Sequence, residues 1–461
     1  MKIEEKTMES KVTFYEETNF KNTEIGEIPA DWEVVKLGNY VQLIRNGLTR
    51  EQNTAGVGYP VSRIETISAG VINPNKVRYL SNLTDKEFEQ YRIVKEDILF
   101  SHINSEPYLG NSAIYTGIPE ILIHGMNLLL IRTQKDKLNS YFLNYLFNYF
   151  RGNGVFVSIA SRAVNQSSIN QGKIRNLPIP LPPLEEQKAI AYVLSTVQEA
   201  REKTEKVIEA TKELKKSLMK HLFTYGPVSL EEASRINLKE TEIGEIPADW
   251  EVVKLKDMAS VVRGISWNRQ EESRNGFGVP VLSIPNIKWG QVSFDFQHFL
   301  KGSIPPSKII QKHDIIFVTS SGSLKNIGRN CLVTELPGNI PIAFASFLAV
   351  LRLKKNVNVQ PDFLYYLINS HYVDFSKYTK RASDGKNNFQ MKEFEEKVVL
   401  PLPPLPVQKR IAEILQTVDE KIQAEEKKKQ ALDNLFNSML HMLMSGKLRV
   451  KFQTPEEGTS G

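Results

Sequence analysis

Side chains that can read the edges of DNA base pairs gather in two loops of the first half of this sequence and in two loops of the second half. Arginine bonds guanine through two N–H groups, asparagine and glutamine bond adenine in the same two-point manner, and lysine more often contacts phosphate. The first-half candidates are Arg45, Asn46 and Arg50, followed by Arg162, Asn165, Gln166 and Lys173. The second-half candidates are Arg263, Trp267, Asn268 and Arg269, followed by Lys380, Arg381, Lys386, Asn387 and Asn388. A third, weaker candidate is the pair of segments 101–107 and 320–326. Within it, His102 fits packing inside the protein as well as it fits contact with DNA.

The charge around the second loop of each half favours DNA contact by these groups as wholes, and an ordinary solvated side chain stays the alternative for each residue taken singly. The net charge is +6, and residues 137–184 contain no Asp or Glu although they carry five Lys and Arg. Residues 376–392 carry five Lys and Arg against the single Asp384. Such carboxylate-poor stretches suit contact with phosphate groups.

Several motifs that would indicate an enzyme are missing from the sequence. There is no G-x-x-x-x-G-K-[ST] phosphate loop, no H-E-x-x-H or C-x-x-C metal motif, and no [ND]-P-P-aromatic tetrapeptide of the kind that grips a flipped base. The sequence therefore predicts no catalytic residue, no metal site and no cofactor in this chain. Two alternatives stay open: a self-contained DNA methyltransferase or nuclease with unrecognised motifs, and a coiled-coil scaffold without DNA contact. The basic stretches argue against the scaffold.

Composition and the N-terminal sequence predict a cytoplasmic protein with no membrane span. No run of eighteen apolar residues occurs, and the first twenty residues lack the basic start and apolar core of a secretory signal. The single cysteine, Cys331, cannot form an internal disulfide, which suits a reducing compartment. It lies in an apolar run that is typical of a buried structural thiol.

The segments that position the candidate loops occur twice in the sequence. Residues 23–37 read TEIGEIPADWEVVKL, and residues 241–255 repeat all fifteen letters. The exit PLPPLEEQKAIAYVL of residues 180–194 recurs as PLPPLPVQKRIAEIL in residues 401–415, while the middles have diverged except at apolar and glycine positions. The chain is therefore two copies of a unit of about 220 residues, whose ends do the same task and whose middles present different surfaces.

Within each copy the pattern is mixed. Short apolar runs such as residues 97–100 and 314–319 predict buried strands, and residues 141–150 and 362–372 predict helices. After each proline-rich exit comes a long helical pattern without internal proline or glycine, from Glu185 to about Phe223 and from Pro406 to about Met444.

Apolar residues in these long patterns recur at steps of three and four, and in the first helix the predicted seam includes Val207 and Leu214. Such a seam packs against another helix. Two copies of one unit place the partners in one chain, so we expect the two helices to pair antiparallel. The fold class is α+β (mixed α/β), with a pseudo-twofold internal repeat of two globular parts joined by two long antiparallel coiled-coil helices.

At this level the chain resembles the specificity (S) subunit of type I restriction–modification systems, over nearly its whole length. The resemblance rests on GEIPADWEVVKL at the head of each copy, on DILFS and DIIFV in the middles, and on the two PLPPL-x-x-QK exits with the residues before them. It implies that each middle is a target-recognition domain. The expected segments are an N-terminal arm 1–22, target-recognition domain 1 at 23–182, a central long helix 183–225, a linker 226–240, target-recognition domain 2 at 241–403, a C-terminal long helix 404–446 and a disordered tail 447–461.

The resemblance also implies a function and partners. Each domain would read one half of a split target in double-stranded DNA, and the helices would set the spacer between the halves. They would also dock two modification (methyltransferase) subunits, which would hold S-adenosylmethionine and methylate adenine. Motor-nuclease restriction subunits would join for cleavage. The arm at residues 1–22 departs from the pattern of the family, and the sequence assigns it no role.

Overall fold

We describe the protein from a computed structural model, in which residues 12–67, 70–163, 166–273, 276–383 and 385–453 are described. The chain divides into two compact units. The first unit comprises Met1–Glu205 together with Lys427–Gly461, and the second comprises Lys206–Glu426. Each unit therefore holds one globular part and a portion of both long helices.

The first part of the chain alternates short strands with a few helices. Its strands are β1 (Val12–Glu16), β2 (Phe20–Thr23), β3 (Gly26–Pro29), β4 (Glu33–Lys36), β5 (Val41–Asn46), β6 (Tyr59–Val61), β7 (Arg78–Leu80), β8 (Ile98–Phe100), β9 (Ile103–Asn104), β10 (Ser112–Ile114), β11 (Leu129–Thr133), β12 (Ser161–Ala163), β13 (Gln166–Ser168) and β14 (Pro178–Leu181). Its helices are α1 (Asp85–Tyr91), α2 (Ser140–Gly152), α3 (Val155–Ile159), α4 (Gln171–Arg175) and the long α5 (Leu184–Tyr225).

The second part of the chain repeats most of this order and adds three short strands, and its last strand belongs to the first unit. Its strands are β15 (Leu238–Thr241), β16 (Gly244–Pro247), β17 (Glu251–Lys254), β18 (Ala259–Arg263), β19 (Val279–Leu282), β20 (Ile287–Lys288), β21 (Gln291–Val292), β22 (His298–Leu300), β23 (Ile315–Val318), β24 (Ser320–Ser321), β25 (Asn330–Leu332), β26 (Ala343–Phe344), β27 (Leu348–Leu353), β28 (Thr379–Arg381), β29 (Asn387–Phe389), β30 (Val399–Leu402) and β31 (Leu448–Phe452). Its helices are α6 (Leu230–Ala233), α7 (Leu255–Met258), α8 (Pro361–Ile368), α9 (Met391–Lys397) and the long α10 (Leu405–Met444).

A four-stranded antiparallel sheet forms the centre of each unit. Its order is β10-β8-β11-β5 in the first unit and β25-β23-β27-β18 in the second. The strands β8 and β23 are fully buried because their residues, ILF and IIFV, are apolar on both faces. The matched order confirms the predicted internal repeat.

The aspartate that opens each DILF or DIIF run anchors this sheet. Asp97 and Asp314 are buried, and each accepts two 2.7 Å hydrogen bonds from an arginine of the neighbouring strand, Arg132 or Arg352. A buried carboxylate is tolerated only when it is paired in this way. The repeated acidic residue is therefore part of the fold.

The proline-rich exits pair with the entry segments. Strand β14 runs antiparallel to β4, and β30 runs antiparallel to β17 in the same register. The glutamine of each PLPPL-x-x-QK motif is buried. Gln187 accepts from the Asn139 N–H at 2.9 Å and donates to two carbonyls, and Gln408 does the same with the Gln360 N–H at 2.9 Å. This glutamine satisfies loop backbone that would otherwise be buried without partners, which explains its recurrence.

The long helices run antiparallel within each unit, as predicted. In the first unit Arg201 bonds Asp433 at 2.6 Å and Glu205 pairs with Lys429 at 2.7 Å. In the second unit, Lys212 pairs with Glu426 at 2.7 Å and Lys215 with Asp419 at 2.6 Å. In both units the residue number of the contacts rises along α5 as it falls along α10, which is the pattern of antiparallel helices.

The predicted seam of α5 is wrong in its middle. Val207 is 39% exposed and Leu214 is 59% exposed, whereas Ile208 and Thr211 are buried. The observed seam runs from Thr204 to Ile208 and Thr211, because these residues lie on the side of α5 that is buried against α10. The adjacent valine thus falls on the solvent side.

The terminal segments pair with each other. Strand β1 lies antiparallel to β31, with Val12 opposite Phe452 and Glu16 opposite Leu448. Arg449 is buried there and bonds Glu17, Asp31 and Glu186. The expectation of a disordered tail is therefore wrong for Leu448–Phe452, whose backbone pairs with the N-terminal arm. Residues 454–461 lie outside the described residues.

No helix among the described residues is long and apolar enough to cross a membrane.

Candidate DNA interface

Two strands of each central sheet end at the same edge, and the candidate loops leave from there. In the first unit Asn46 at the end of β5 and Phe100 at the end of β8 both lie opposite Leu129. In the second unit Arg263 of β18 and Phe317 of β23 both lie opposite Ala349. We call the edge marked by these strand ends the loop edge.

A glycine pins the first loop to this edge in both units. A Cβ atom on Gly47 would lie 1.8 Å from the Gly125 carbonyl oxygen, and one on Gly264 would lie 2.0 Å from the Ala345 carbonyl oxygen. Only glycine permits such an approach of two backbones. The residue before each glycine, Asn46 or Arg263, is thereby held at the edge with its side chain exposed.

Beyond the loop edge, a small three-stranded sheet joins two segments that are far apart in the sequence. Its order is β12-β13-β9 in the first unit and β28-β29-β24 in the second. The weaker candidate segments 101–107 and 320–326 supply β9 and β24, and the loops before the proline exits supply the other strands. The structure therefore brings the second and third sequence candidates onto one surface.

The matched register identifies equivalent residues in the two small sheets. Arg162 lies opposite Ser167, and Arg381 lies opposite Asn387 at the corresponding position. Both arginines are exposed. Arg162 forms a 2.9 Å ion pair with the exposed Glu106, a partner that water or phosphate can replace.

The other candidates of the first unit differ in how many bonds they make within the protein. Lys173 donates to the Ile159 carbonyl at 2.7 Å and to the Ser161 hydroxyl at 3.1 Å, so it supports the fold beneath the small sheet. Arg45 donates to the Gln90 carbonyl and stacks over Tyr91, with its guanidinium carbon 5.7 Å from the ring centre. Arg50 forms a 3.1 Å ion pair with Glu87. Gln166 is exposed at the start of β13, and Asn165 lies outside the described residues.

In the entry loop of the second unit, two candidates shape the loop and two project from it. Trp267 packs into a small apolar cluster, with its ring centre 5.7 Å from that of His298. The Asn268 side chain accepts from the N–H groups of Gln270 and Glu271 at 2.9 and 3.2 Å, which closes a turn. Arg263 and Arg269 are exposed.

The small sheet of the second unit is also partly braced. Lys380 bonds Glu393 at 2.9 Å, and Lys397 bonds the same carboxylate at 2.7 Å. Hydrogen bonds from Lys397 and then Lys380 lower the pKa of Glu393 to about 2. Asn387 and Asn388 lie half-buried opposite Ser321 and Ser320, and Lys386 is exposed in the turn before them.

Comparison with known proteins identifies the family. The family model for the type I restriction modification DNA specificity domain matches residues 29–212 and again residues 247–434. The chain is 39% identical to a putative type I restriction enzyme MjaX specificity subunit of Methanocaldococcus jannaschii, over 95% of this chain and 98% of the relative. It belongs to the type I restriction–modification specificity subunits.

Further relatives agree with this assignment. The type I restriction enzyme MjaVIII specificity subunit of the same organism is 29% identical over 95% of this chain and 98% of its own length. The crystal structure of the S subunit of a type I restriction–modification system from M. genitalium has the same fold, with a TM-score of 0.58 and 16% identity over 92% of this chain and 96% of that one. The protein is thus a non-catalytic specificity subunit with two target-recognition domains.

A basic cleft lies beside the loop edge of the second target-recognition domain. Its lining includes Arg263, Lys308 and Lys392. The one carboxylate of the lining, on Glu395, accepts from the Val261 N–H at 3.2 Å, and Lys308 donates to the Arg263 carbonyl at 2.6 Å. The sequence analysis counted Lys392 in the basic stretch 376–392 and missed Lys308, because nothing in the local sequence places either lysine next to Arg263.

Two histidines lie inside the first target-recognition domain of this specificity subunit. Burial lowers the pKa of His102 to about 4 and that of His124 to about 3, so both are neutral near pH 7. The Nδ1 atom of each has no hydrogen-bond partner among the described residues. His102 is thus a packed residue at the base of the loop edge. No group of three or more His, Cys, Asp or Glu among the described residues could hold a metal ion.

Proposed function

We propose that each target-recognition domain reads one half of a bipartite DNA target through its loop edge and small sheet. The supporting observation is that the two domains share one backbone arrangement but carry different side chains at some of its exposed positions. Arg162 and Arg381 occupy the same position in the two small sheets, whereas Asn46 in the first unit is replaced by Arg263 in the second. Asparagine suits adenine and arginine suits guanine. The shared arginine would contact a guanine in each half-site, and the divergent residues would give each half-site the rest of its sequence.

The long helices are proposed to set the spacer and to dock two modification subunits. Their outer faces expose apolar side chains in both copies, including Tyr192 and Leu214 on α5 and Leu405 and Leu435 on α10. The entry and exit motifs are nearly identical in the two copies, and the entry segments are partly exposed. A partner that recognises this surface on one copy would therefore meet a similar surface on the other. S-adenosylmethionine would be held by these partners. The motor-nuclease restriction subunits would join the same assembly.

The mass of the complex reconstituted with saturating modification subunit tests the docking proposal. We expect two modification subunits per chain. A stable one-to-one complex would contradict it.

An exchange of one domain tests the reading proposal. Residues 39–176 are replaced with the corresponding middle of another specificity subunit, and the methylated sites are mapped in cells that carry the modification subunits. One half of the recognised site should change and the other should stay. A change in both halves would contradict two independent readers.

A further inference from the structure

An exposed aromatic side chain stands between the two candidate segments of the second unit. Phe347 directly precedes β27 at the loop edge, and 46% of its surface is exposed. The Thr319 N–H and hydroxyl both donate to the Phe347 carbonyl, at 2.8 and 3.0 Å. The Gly264 N–H donates to the carbonyl of the next residue, Leu348, at 3.1 Å. Phe347 is therefore flanked by the start of the entry loop on one side and by β24 on the other.

The backbone of this residue is fixed although its ring is left in solvent. Leu348, the following residue, is fully buried, and the Thr319 carbonyl accepts from the Phe389 N–H at 2.8 Å, which ties the position to the small sheet. A ring that served only the fold would be expected in the core, because exposing apolar surface is unfavourable. Phe347 is instead presented at the surface by a rigid frame.

The first unit has a different residue at this place. The bridge between Leu48 and Gly125 matches the bridge between Ile265 and Ala345, so Asn127 is the counterpart of Phe347. Asn127 is exposed and has a φ of 68°, in the left-handed region that asparagine tolerates better than most residues. One unit thus presents an amide where the other presents a phenyl ring.

We propose that Phe347 reads a thymine in the half-site of the second target-recognition domain, by contact between its ring and the C5 methyl group in the major groove. This inference rests on the proposed function of the loop edge. The exposed Arg263, opposite Ala349, and the exposed Arg269 of the same entry loop carry donors of the kind that guanine accepts. A phenyl ring cannot make such bonds, and the thymine methyl is the apolar group that a base pair offers in the major groove.

The test removes the methyl group from the DNA and the ring from the protein. Mapping of methylated sites first gives the two half-sites, and exchange of residues 39–176 shows which of them belongs to the second domain. Duplexes are then made in which each thymine of that half-site is singly replaced by uracil, which lacks only the methyl group. Binding by the complex with modification subunits is measured for the natural chain, for Phe347→Ala and for the control Asn127→Gly, in which glycine keeps the left-handed backbone.

We expect one uracil substitution to weaken binding by the natural chain about threefold to tenfold. Phe347→Ala should bind the thymine duplex more weakly by a similar factor and lose nothing further with uracil, while Asn127→Gly should respond to uracil as the natural chain does. A half-site without thymine, no effect of any uracil, or an unchanged uracil response in Phe347→Ala would overturn the assignment. Binding of the natural chain without sequence preference would instead contradict the proposed function itself.

Discussion

At the scale of single residues, four polar residues that recur in the two copies have structural roles. Asp97, Asp314, Gln187 and Gln408 are all buried and hydrogen-bonded. The sequence showed that they recur but not what they bond, because their partners come from distant strands and loops. Arg45 and Lys173 were predicted as DNA contacts by residue type, and in the structure each donates a hydrogen bond to a backbone carbonyl of the protein.

Acid should destabilise the first unit through its buried histidines. His124 has a folded-state pKa of about 3 against about 6.5 when unfolded, so the unfolded chain binds the proton first as the pH falls. The stability is therefore complete above pH 6.5 and is lost progressively below it, by about 2 kcal/mol at pH 5 for this residue.

The variant His124→Phe, which takes the residue type of Phe344 in the second unit, should lose less stability between pH 7 and pH 5. Denaturant unfolding at the two pH values measures this. An equal loss in the variant and the natural chain would contradict it.

The two matched arginines should act on different half-sites. Arg162→Ala and Arg381→Ala should each weaken binding to the natural target about tenfold, since a good two-point contact discriminates by roughly 1–3 kcal/mol. Each should relax discrimination in one half-site only, the two variants in opposite halves. Titration against duplexes scrambled in either half measures this, with Lys203→Ala on the outer face of α5 as the control. Loss of discrimination in the same half by both variants would refute the assignment.

At the scale of elements, the sequence predicted the strands, the long helices and their antiparallel pairing. The helix expected over 362–372 ends at Ile368, where Asn369 and Ser370 form a turn with bonds to preceding carbonyls. The α5 seam was misplaced because Val207 and Ile208 are adjacent and both apolar, and a three–four pattern can be drawn through either. Only the position of the partner helix decides between them.

This seam predicts unequal effects of two neighbouring substitutions. Ile208→Ala removes a buried side chain and should lower the free energy of unfolding by about 2–4 kcal/mol. Val207→Ala, one residue away on the exposed side, should change it by less than about 1 kcal/mol. Chemical denaturation of both variants measures the difference. Equal losses, or a larger loss for Val207→Ala, would restore the seam first predicted from the sequence.

At the scale of the whole molecule, the proposed function depends on the internal repeat. The identical entry segments and near-identical exits predicted that the two copies share one backbone arrangement. The matched strand orders of their sheets confirm this. The sequence could not show that segments 101–107 and 320–326 join the loops before the exits, because this pairing depends on the path of the chain between them.

The proposed spacer role predicts the result of lengthening both helices together. Four residues are inserted in α5 between Glu205 and Lys212, and four in α10 between Glu426 and Lys429, which leaves the ion pairs of each unit intact. Each insertion adds roughly 6 Å of helix, and DNA rises about 3.4 Å per base pair. The mapped spacer should therefore grow by one or two base pairs with both half-sites unchanged. An insertion of two residues in α5 alone should turn the seam away from its partner and reduce stability instead.

The central claim is that the two target-recognition domains read DNA independently and are held by equivalent backbone arrangements. It is tested most directly by a chain that carries the first domain twice. Residues 257–397 are replaced with residues 39–176, the segment that the repeat aligns with them, and methylated sites are mapped in cells that contain the modification subunits. The account predicts a symmetric target, in which the half-site of the first domain occurs twice in opposite orientations around the natural spacer. Methylation that persists at the original asymmetric target, or a target that contains neither natural half-site, would contradict it.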